Sequence, residues 1–356
     1  MTDTSQIVIS VHESVGRLTL NRPDALNALS QEMVTVLTDT LTAWIDSSEI
    51  SLVVLDGAGD RGLCAGGDVR VMYENAVAGN AEATRRFLRD EYRLNALISE
   101  YPKPFVAIMD GLTMGGGIGL AGHAGIRIVT ERSRLAMPET RIGFCPDVGG
   151  TWLLSRSPGE LGTYLGLGAV SLTASDALAI GLADYFVPSA LVPHLLQAFA
   201  ERADPGSPSE IVLLFDETPE PSKLMAQRGW IDACYAADTV PEICANLRAW
   251  ADTHSDPAAA AANVAADNLG SLSPTALTVT LAALRTSRTL PNLRAALELE
   301  FRAATWLLSQ PDLREGIRAQ VIDKDRSPSW TPARFDDLPA GLAERVLGHP
   351  LAEALW

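Results

Sequence analysis

The chain has 356 residues, with 28 Lys and Arg against 44 Asp and Glu, a formal net charge of −16 and a pI near 4.7. That length buries a sizeable core, as one large domain with an extension or as two domains. The acidic balance leaves no global basic field for DNA or RNA, so nucleic acid is not an expected partner, and an anionic ligand would be met locally by cations such as Arg22, Arg61, Arg70 and Lys324.

The four cysteines, Cys64, Cys145, Cys234 and Cys244, lack compact metal-ligand spacing and read as buried free thiols, so no metal is expected. The opening MTDTSQIVIS carries acid without a basic patch or a long apolar core, which argues against a secretory or transit segment. No apolar run approaches the length of a bilayer span. The expectation is a soluble cytoplasmic protein with no membrane partner.

Val15 to Leu20 alternates apolar side chains and ends at Asn21-Arg22-Pro23, a strand followed by a turn. Met33, Leu37, Leu41 and Trp44 then recur at helical spacing behind Ser30, a candidate N-cap. Leu52 to Leu55, followed by Asp56-Gly57, reads as a short buried strand, and this alternation favours an α/β architecture. In RGLCAGGDVRVM, from Arg61 to Met72, Gly67 can bring its N–H close to a ligand while Asp68 fixes the turn by accepting a backbone hydrogen bond. A tight strand-to-helix turn would need the same glycines. Glu82 to Ser99 reads as a helix with Phe87, Leu94, Leu97 and Ile98 on its apolar face. On that pattern Glu91 is a solvated acid or the partner of a nearby arginine, and Tyr92 packs at the edge of the core.

Tyr101 to Gly150 is the stretch around which the chain is organised. An apolar run, YPKPFVAIMDG, passes directly into MGGGIGLAGHAG at Met114 to Gly125. Gly115, Gly116 and Gly117 leave the backbone bare, and a helix beginning there points unsatisfied N–H groups at an anion, with Gly116 the best candidate to face a ligand. No Lys-Ser or Lys-Thr pair follows and the spacing is not GxGxxG, so neither an ATPase nor a nicotinamide enzyme is supported. His123 reads as a core or capping histidine. After the alternating segment Ile126 to Thr130, Glu139 and Asp147 stand eight positions apart in AMPETRIGFCPDVGGTW. A loop can bring two such carboxylates to one cavity, one activating water and the other orienting it. Equally, Glu139 can cap a turn and Asp147 the helix that starts near Thr151.

Downstream, Ser171 to Ala174 introduces a short helical segment ending near Gly181, Leu182 to Pro188 a turn or short strand, and Leu191 to Phe199 a helix. Asp204 to Glu210 is a flexible connection, with the domain boundary near residue 205. Beyond it, helical patterns occupy Ala258 to Leu269, Pro274 to Leu284 and Leu290 to Leu308, limited by Pro219, Pro221, Pro241 and Pro291. Trp306 to Leu308 belongs to that core, and Trp330 anchors the charged run near the C-terminus.

Taken together, NRPDALNAL at Asn21 to Leu29, CAGGDVR at Cys64 to Arg70 and MGGGIGL with the PET stretch resemble the enoyl-CoA hydratase/isomerase superfamily over about residues 7 to 200. RDEYRLN, PETRIGFCPDVGGTW, LELEFR and EGIRAQVIDKDRSPSW resemble its 3-hydroxyisobutyryl-CoA hydrolase branch over nearly the whole chain. The resemblance implies an α/β, crotonase-like fold: a repeated ββα spiral core in residues 1–205, and a mainly helical region in 206–356 that packs on or covers the active site.

Carried over residue by residue, it assigns the N–H groups of Gly67 and Gly116 to a thioester oxygen that gains charge as water adds. Glu139 becomes the principal catalytic carboxylate, activating water or, in a covalent route, attacking the thioester itself. Asp147 positions substrate or water, and Glu91 meets the polar acyl end or tunes the other acids. Arg22, Ala25, Leu26 and Cys64 fall in segments near CoA, Arg22 toward a phosphate and the other three, through their backbone, toward adenine or pantetheine. One departure matters: Gly119 stands where many hydratases carry a first catalytic glutamate. It weakens two-glutamate hydration and leaves thioester hydrolysis, as in valine degradation, or one-carboxylate isomerisation; a silent CoA-binding protein is a further alternative. CoA arrives as part of the substrate, with no separate cofactor. Relatives often form trimers or hexamers, so a homo-oligomer is also implied, with the C-terminal region weighing against direct transfer of the count.

Overall fold

A computed structural model of the chain describes residues 5–201 and 207–356. Two compact units emerge, each assembled from separated segments: Met1–Asp68, Asp90–Ala136 and Leu172–Ser222 in the first, Val69–Arg89, Met137–Ser171 and Lys223–Trp356 in the second. The boundary expected near residue 205 lies outside the described residues.

Among the described residues the first unit carries nine strands: β1 (Ile7–His12), β2 (Val15–Leu20), β3 (Leu52–Gly57), β4 (Gly62–Cys64), β5 (Phe105–Met109), β6 (Leu112–Met114), β7 (Ile126–Val129), β8 (Arg134–Ala136) and β9 (Tyr185–Phe186). Six form one sheet in the order β1-β2-β3-β5-β7-β9, and three form a second in the order β4-β6-β8. Apart from the antiparallel pair β1–β2, neighbours run parallel. Each successive pair, β3–β4, β5–β6 and β7–β8, therefore gives one strand to each sheet, which is the repeated spiral of the crotonase-like α/β fold. Val54, Val106, Ile108 and Ile128 are at most 2% exposed and join Leu195, Phe199, Ile211 and Val212 in one apolar core.

Local chemistry accounts for the elements. Ser30 accepts the Met33 N–H at 3.2 Å and starts the helix Gln31–Ile45, which buries Met33, Val34, Leu37 and Leu41. Trp44 lies against Gly16, where a Cβ would come within 2.5 Å of the indole ring. Asp56 and Gly57 continue β3 instead of ending it, because the Asp56 carboxylate is satisfied by Arg17 and by the Thr19 hydroxyl at 2.6 Å. In the C-terminal half of the helix Ala81–Ser99, Glu91 and Tyr92 are 2% and 0% exposed, against the surface and core-edge expectations.

The second unit is helical. Capping side chains and early prolines define its starts: Thr239 with Pro241, Asp256 with Pro257, Ser273 with Pro274, and Asn292 before Leu293–Leu307. Pro241 thus stands in the first turn of Val240–Thr253, just after the break that follows Arg228–Tyr235. The tail is pinned by Arg318, which pairs with Glu315, Asp323 and Asp325, and by Trp330, whose Nε1–H donates to Ser271 O at 2.8 Å. Among the described residues no helix is long and apolar enough to cross a membrane.

The tight pairing of β4 with β6 makes a stability prediction. Gly62 has φ 147°, and a Cβ there would lie 2.2 Å from Leu112 N, whereas Gly181, with φ 79°, has nothing within 4 Å. Gly62→Ala is expected to cost about 2–5 kcal/mol, combining backbone strain with overpacking, and Gly181→Ala about 1–2 kcal/mol from strain alone. Urea unfolding of both variants checks the difference.

Candidate active site

The first unit builds one constellation from glycine contacts. Arg22 organises the turn after β2: its Nη1 donates to Ala28 O at 2.6 Å and its Nη2 reaches Asp68 Oδ2 at 3.1 Å. Asp68 therefore fixes the turn through a guanidinium, where a backbone donor was expected. Ala25 is exposed, and Leu26 O accepts the Ala65 N–H at 3.0 Å, which sets this turn beside Cys64. Leu29 and Gly67 then form a parallel bridge, in which Leu29 N–H donates to Gly66 O and Asp68 N–H to Leu29 O. The flanking groups make those bonds, so the Gly67 N–H turns to the other side.

On that side lies Gly116. A Cβ at Gly116 would stand 2.3 Å from Glu91 Oε1, 3.1 Å from Leu29 Cδ1 and 3.3 Å from Gly67 N. Gly115, with φ 49°, turns the chain into the helix Gly116–Ala121, whose first N–H groups have no acceptor within the helix. Gly67, Gly116 and Glu91 are thus brought together, two amides and a buried carboxyl around a space that only glycine leaves open. Such a set can hold an oxygen that gains charge. Burial pushes the Cys64 thiol up to about 12, with the Glu91 charge adding to the rise against backbone donors, so this residue is no nucleophile.

Asn95 is fully buried one helical turn beyond Glu91, and neither amide atom has a protein partner. The sequence reading missed it, although the four-residue spacing from Glu91 puts both on one helix face.

The second unit gathers acids. Glu139 is 7% exposed and opens the 3-10 turn Glu139–Ile142, with its carbonyl accepting the Phe144 N–H at 3.0 Å. Asp147 is 6% exposed, and its carbonyl accepts the Gly150 N–H at 2.6 Å. Gly149 is the N-cap of the helix Gly150–Leu154 and offers no side chain to cap it. Glu300 takes that role from the helix Leu293–Leu307: its Oε2 accepts Gly149 N–H at 2.6 Å, its Oε1 accepts Thr151 N–H at 2.8 Å, and the Thr151 hydroxyl donates to it as well. The charges of Asp147, Glu300 and Glu139 all reach Cys145, whose thiol is raised well above its usual value, first by burial.

Glu300 went unassigned in the sequence, though a signal was there. It sits at helical spacing in the stripe Leu293, Ala296, Leu297, Phe301, Ala304 and Leu307, which is wholly buried, while Glu298 faces outward to Arg302. Burial pushes the Glu300 carboxyl from 4.5 up to about 8, with the Asp147 charge also raising it and its hydrogen bonds from Thr151 and Gly149 opposing. Between those values the unfolded chain binds fewer protons than the folded one, so stability falls as pH rises. The contribution is fully present below pH 4.5 and lost once pH passes about 8, at no more than about 1.4 kcal/mol per pH unit. Denaturant midpoints of wild type minus Glu300→Gln across that window are expected to show this decline.

The sequence matches a family profile described as Enoyl-CoA hydratase/isomerase over residues 15–347. It is 36% identical over 351 residues to a protein named 3-hydroxyisobutyryl-CoA hydrolase, mitochondrial, from Danio rerio, covering 96% of this chain and 88% of that protein. Identity to 3-hydroxyisobutyryl-CoA hydrolase 1 of Arabidopsis thaliana is 35%, over 97% of this chain and 92% of that one. Among solved structures it resembles one titled a carnitinyl-CoA dehydratase from Mycobacterium thermoresistibile, at TM-score 0.92 and 42% identity with 99% of both chains covered. It also resembles one titled an enoyl-CoA hydratase from Rhodobacter sphaeroides, at TM-score 0.88 and 40% identity, covering 97% of this chain and 98% of that one.

Proposed function

Because the chain belongs to the enoyl-CoA hydratase/isomerase family, we propose that it hydrolyses 3-hydroxyisobutyryl-CoA or a closely related short, branched hydroxyacyl-CoA to CoA and the free hydroxy acid. The observation that carries this reading is the bare amide pair Gly67 and Gly116 followed by Gly119, in a helix, GGIGLA, that holds no acid. Hydration of a double bond must activate water and also protonate carbon. Attack of water on a thioester carbonyl asks only for one base and for donors to the oxyanion.

In this reading Glu139 takes a proton from water as the water oxygen bonds to the thioester carbon, and Asp147 orients that water. The carbonyl electron pair moves onto oxygen, where the N–H groups of Gly67 and Gly116 bind it more strongly than in the ground state. As the carbonyl reforms, the C–S bond breaks and CoA leaves with the proton returned from Glu139. Glu91 and Asn95 meet the polar acyl end, whose hydroxyl would complete the hydrogen bonding of the buried Asn95 amide. Arg22, Ala25, Leu26 and Cys64 serve the CoA portion, and no separate cofactor enters. A second reading, hydration of an enoyl-CoA or the reverse dehydration of a hydroxyacyl-CoA, is favoured by the likeness to the two solved structures, a carnitinyl-CoA dehydratase and an enoyl-CoA hydratase.

One assay separates them: thiol release and acyl rearrangement followed together on hydroxyacyl and unsaturated CoA esters. Hydrolysis predicts thiol release from the hydroxyacyl esters, and hydration without thiol release would reverse the assignment. Glu139→Gln is expected to keep folding and CoA binding while lowering kcat about 10²- to 10⁴-fold; a folded variant with wild-type turnover removes Glu139 from the chemistry.

Asn95→Leu is expected to keep or raise the melting temperature, since no protein hydrogen bond is lost. It should also lower kcat/KM for a hydroxyacyl ester about tenfold relative to its deoxy analogue, about the worth of one hydrogen bond. Equal ratios in wild type and variant would take Asn95 out of acyl recognition.

A further inference from the structure

Asp147 is followed by two residues in left-handed backbone, Val148 with φ 52° and Gly149 with φ 80°. For glycine this is ordinary, but for a β-branched valine it is unfavourable and persists only where the surroundings impose it. Val148 is 1% exposed, so water does not supply what its neighbours require. The carboxyl of Glu300 grips the segment beyond Val148. It takes the N–H of Gly149 with one oxygen and the N–H and hydroxyl of Thr151 with the other, and Thr151 Oγ1 in turn lies 2.8 Å from Ser287 Oγ. Glu300, Thr151 and Ser287 are each 0% exposed, so these bonds are shielded from competing water.

Both oxygens of Glu300 face N–H donors, so an amide of the same shape would set its own NH2 against one of them. A leucine would leave both unmet. The carboxyl is therefore specified by the loop it holds.

We propose that Glu300 is a positioning residue for Asp147, holding Val148–Gly149 in the left-handed region through its bonds to Gly149 and Thr151 and so fixing the direction in which the Asp147 carboxylate is presented. The inference rests on the assignment of Asp147 to hydrolysis made above, while the grip on the loop is a property of the fold that can be measured without any reaction.

Two arms test it on the full chain. In the first, Glu300→Gln, Asp147→Asn and the double variant are assayed for thiol release from a hydroxyacyl-CoA. Glu300→Gln is expected to lower kcat about 10- to 100-fold with KM changed less than about threefold, and to add less than about twofold in the Asp147→Asn background. Thr151→Val, which keeps both N–H donors and removes only the hydroxyl, should fall between wild type and Glu300→Gln. In the second arm, hydrogen exchange is followed in peptides covering Cys145 to Leu154, where Glu300→Gln is expected to speed exchange of the Gly149 and Thr151 amides at least about tenfold while the Gln31–Ile45 helix keeps its protection.

Wild-type kcat in Glu300→Gln, a loss that multiplies in full with Asp147→Asn, or unchanged exchange at Gly149 and Thr151 would each overturn the proposal. If Asp147→Asn alone costs nothing, or the wild-type chain releases no thiol, the hydrolytic reading fails, and the exchange arm still decides whether Glu300 holds the loop.

Discussion

Backbone pressed against backbone at Gly117 is the contact on which the first unit depends. A Cβ there would lie 2.5 Å from Cys64 O and 2.9 Å from Cys64 Cβ. Strands of three residues form few ladder bonds, so the small sheet β4-β6-β8 cannot set its spacing by hydrogen bonding alone. Close packing sets it at both ends, with Gly117 on Cys64 at one and Gly111 on Arg61 and Gly62 at the other. Gly67 N reaches Gly116 because these contacts bring their segments so near. Any side chain at either position would open the gap that holds the amides and Glu91 together.

The acids drawn out of water are accommodated by different means. Asp56 and Glu160 are matched by cations, Asp56 by Arg17 and Glu160 by both Arg285 and Arg288. At Glu160 burial opposes ionisation, but the hydrogen bonds from Arg288 and Arg285 outweigh it and the carboxyl lies below its usual range. Glu300 has backbone N–H groups and a hydroxyl in place of a guanidinium, and burial wins. Net charge is thus a poor guide to local electrostatics: an acidic chain spends arginines on structural carboxylates and leaves the Glu139, Asp147 and Glu300 region rich in acid.

Much of the fold was legible because it rests on short-range signals. Val15 to Leu20 alternates and forms β2; Ser30 caps the helix whose buried face is Met33, Leu37 and Leu41; Pro274 opens a helix where the apolar period begins. The three-residue strands β4, β6 and β8 were not legible, since three residues cannot display a period. Glu91 shows a different limit. Its neighbours Asp90 and Arg93 suggest a charged face, yet Tyr92, Leu94, Asn95 and Ala96 are all buried, and the carboxyl lies against Gly116, a contact made through tertiary packing. Likewise the pairing of Glu300 with Gly149 spans 151 positions, beyond any local pattern. The glycines announced close approach; the partners they approach were set by topology.

The four cysteines bear on how the chemistry can be observed. Cys64, Cys145 and Cys234 are buried, Cys244 is half-buried, and burial raises all four thiols above their usual value. Chromogenic disulfide reagents react with thiolates, so the native protein contributes little colour of its own. Free CoA carries an exposed thiol and reacts at once. The packing that keeps these sulfurs protonated therefore makes the protein a nearly silent background for the continuous, stoichiometric counting of any CoA thiol that the proposed hydrolysis releases.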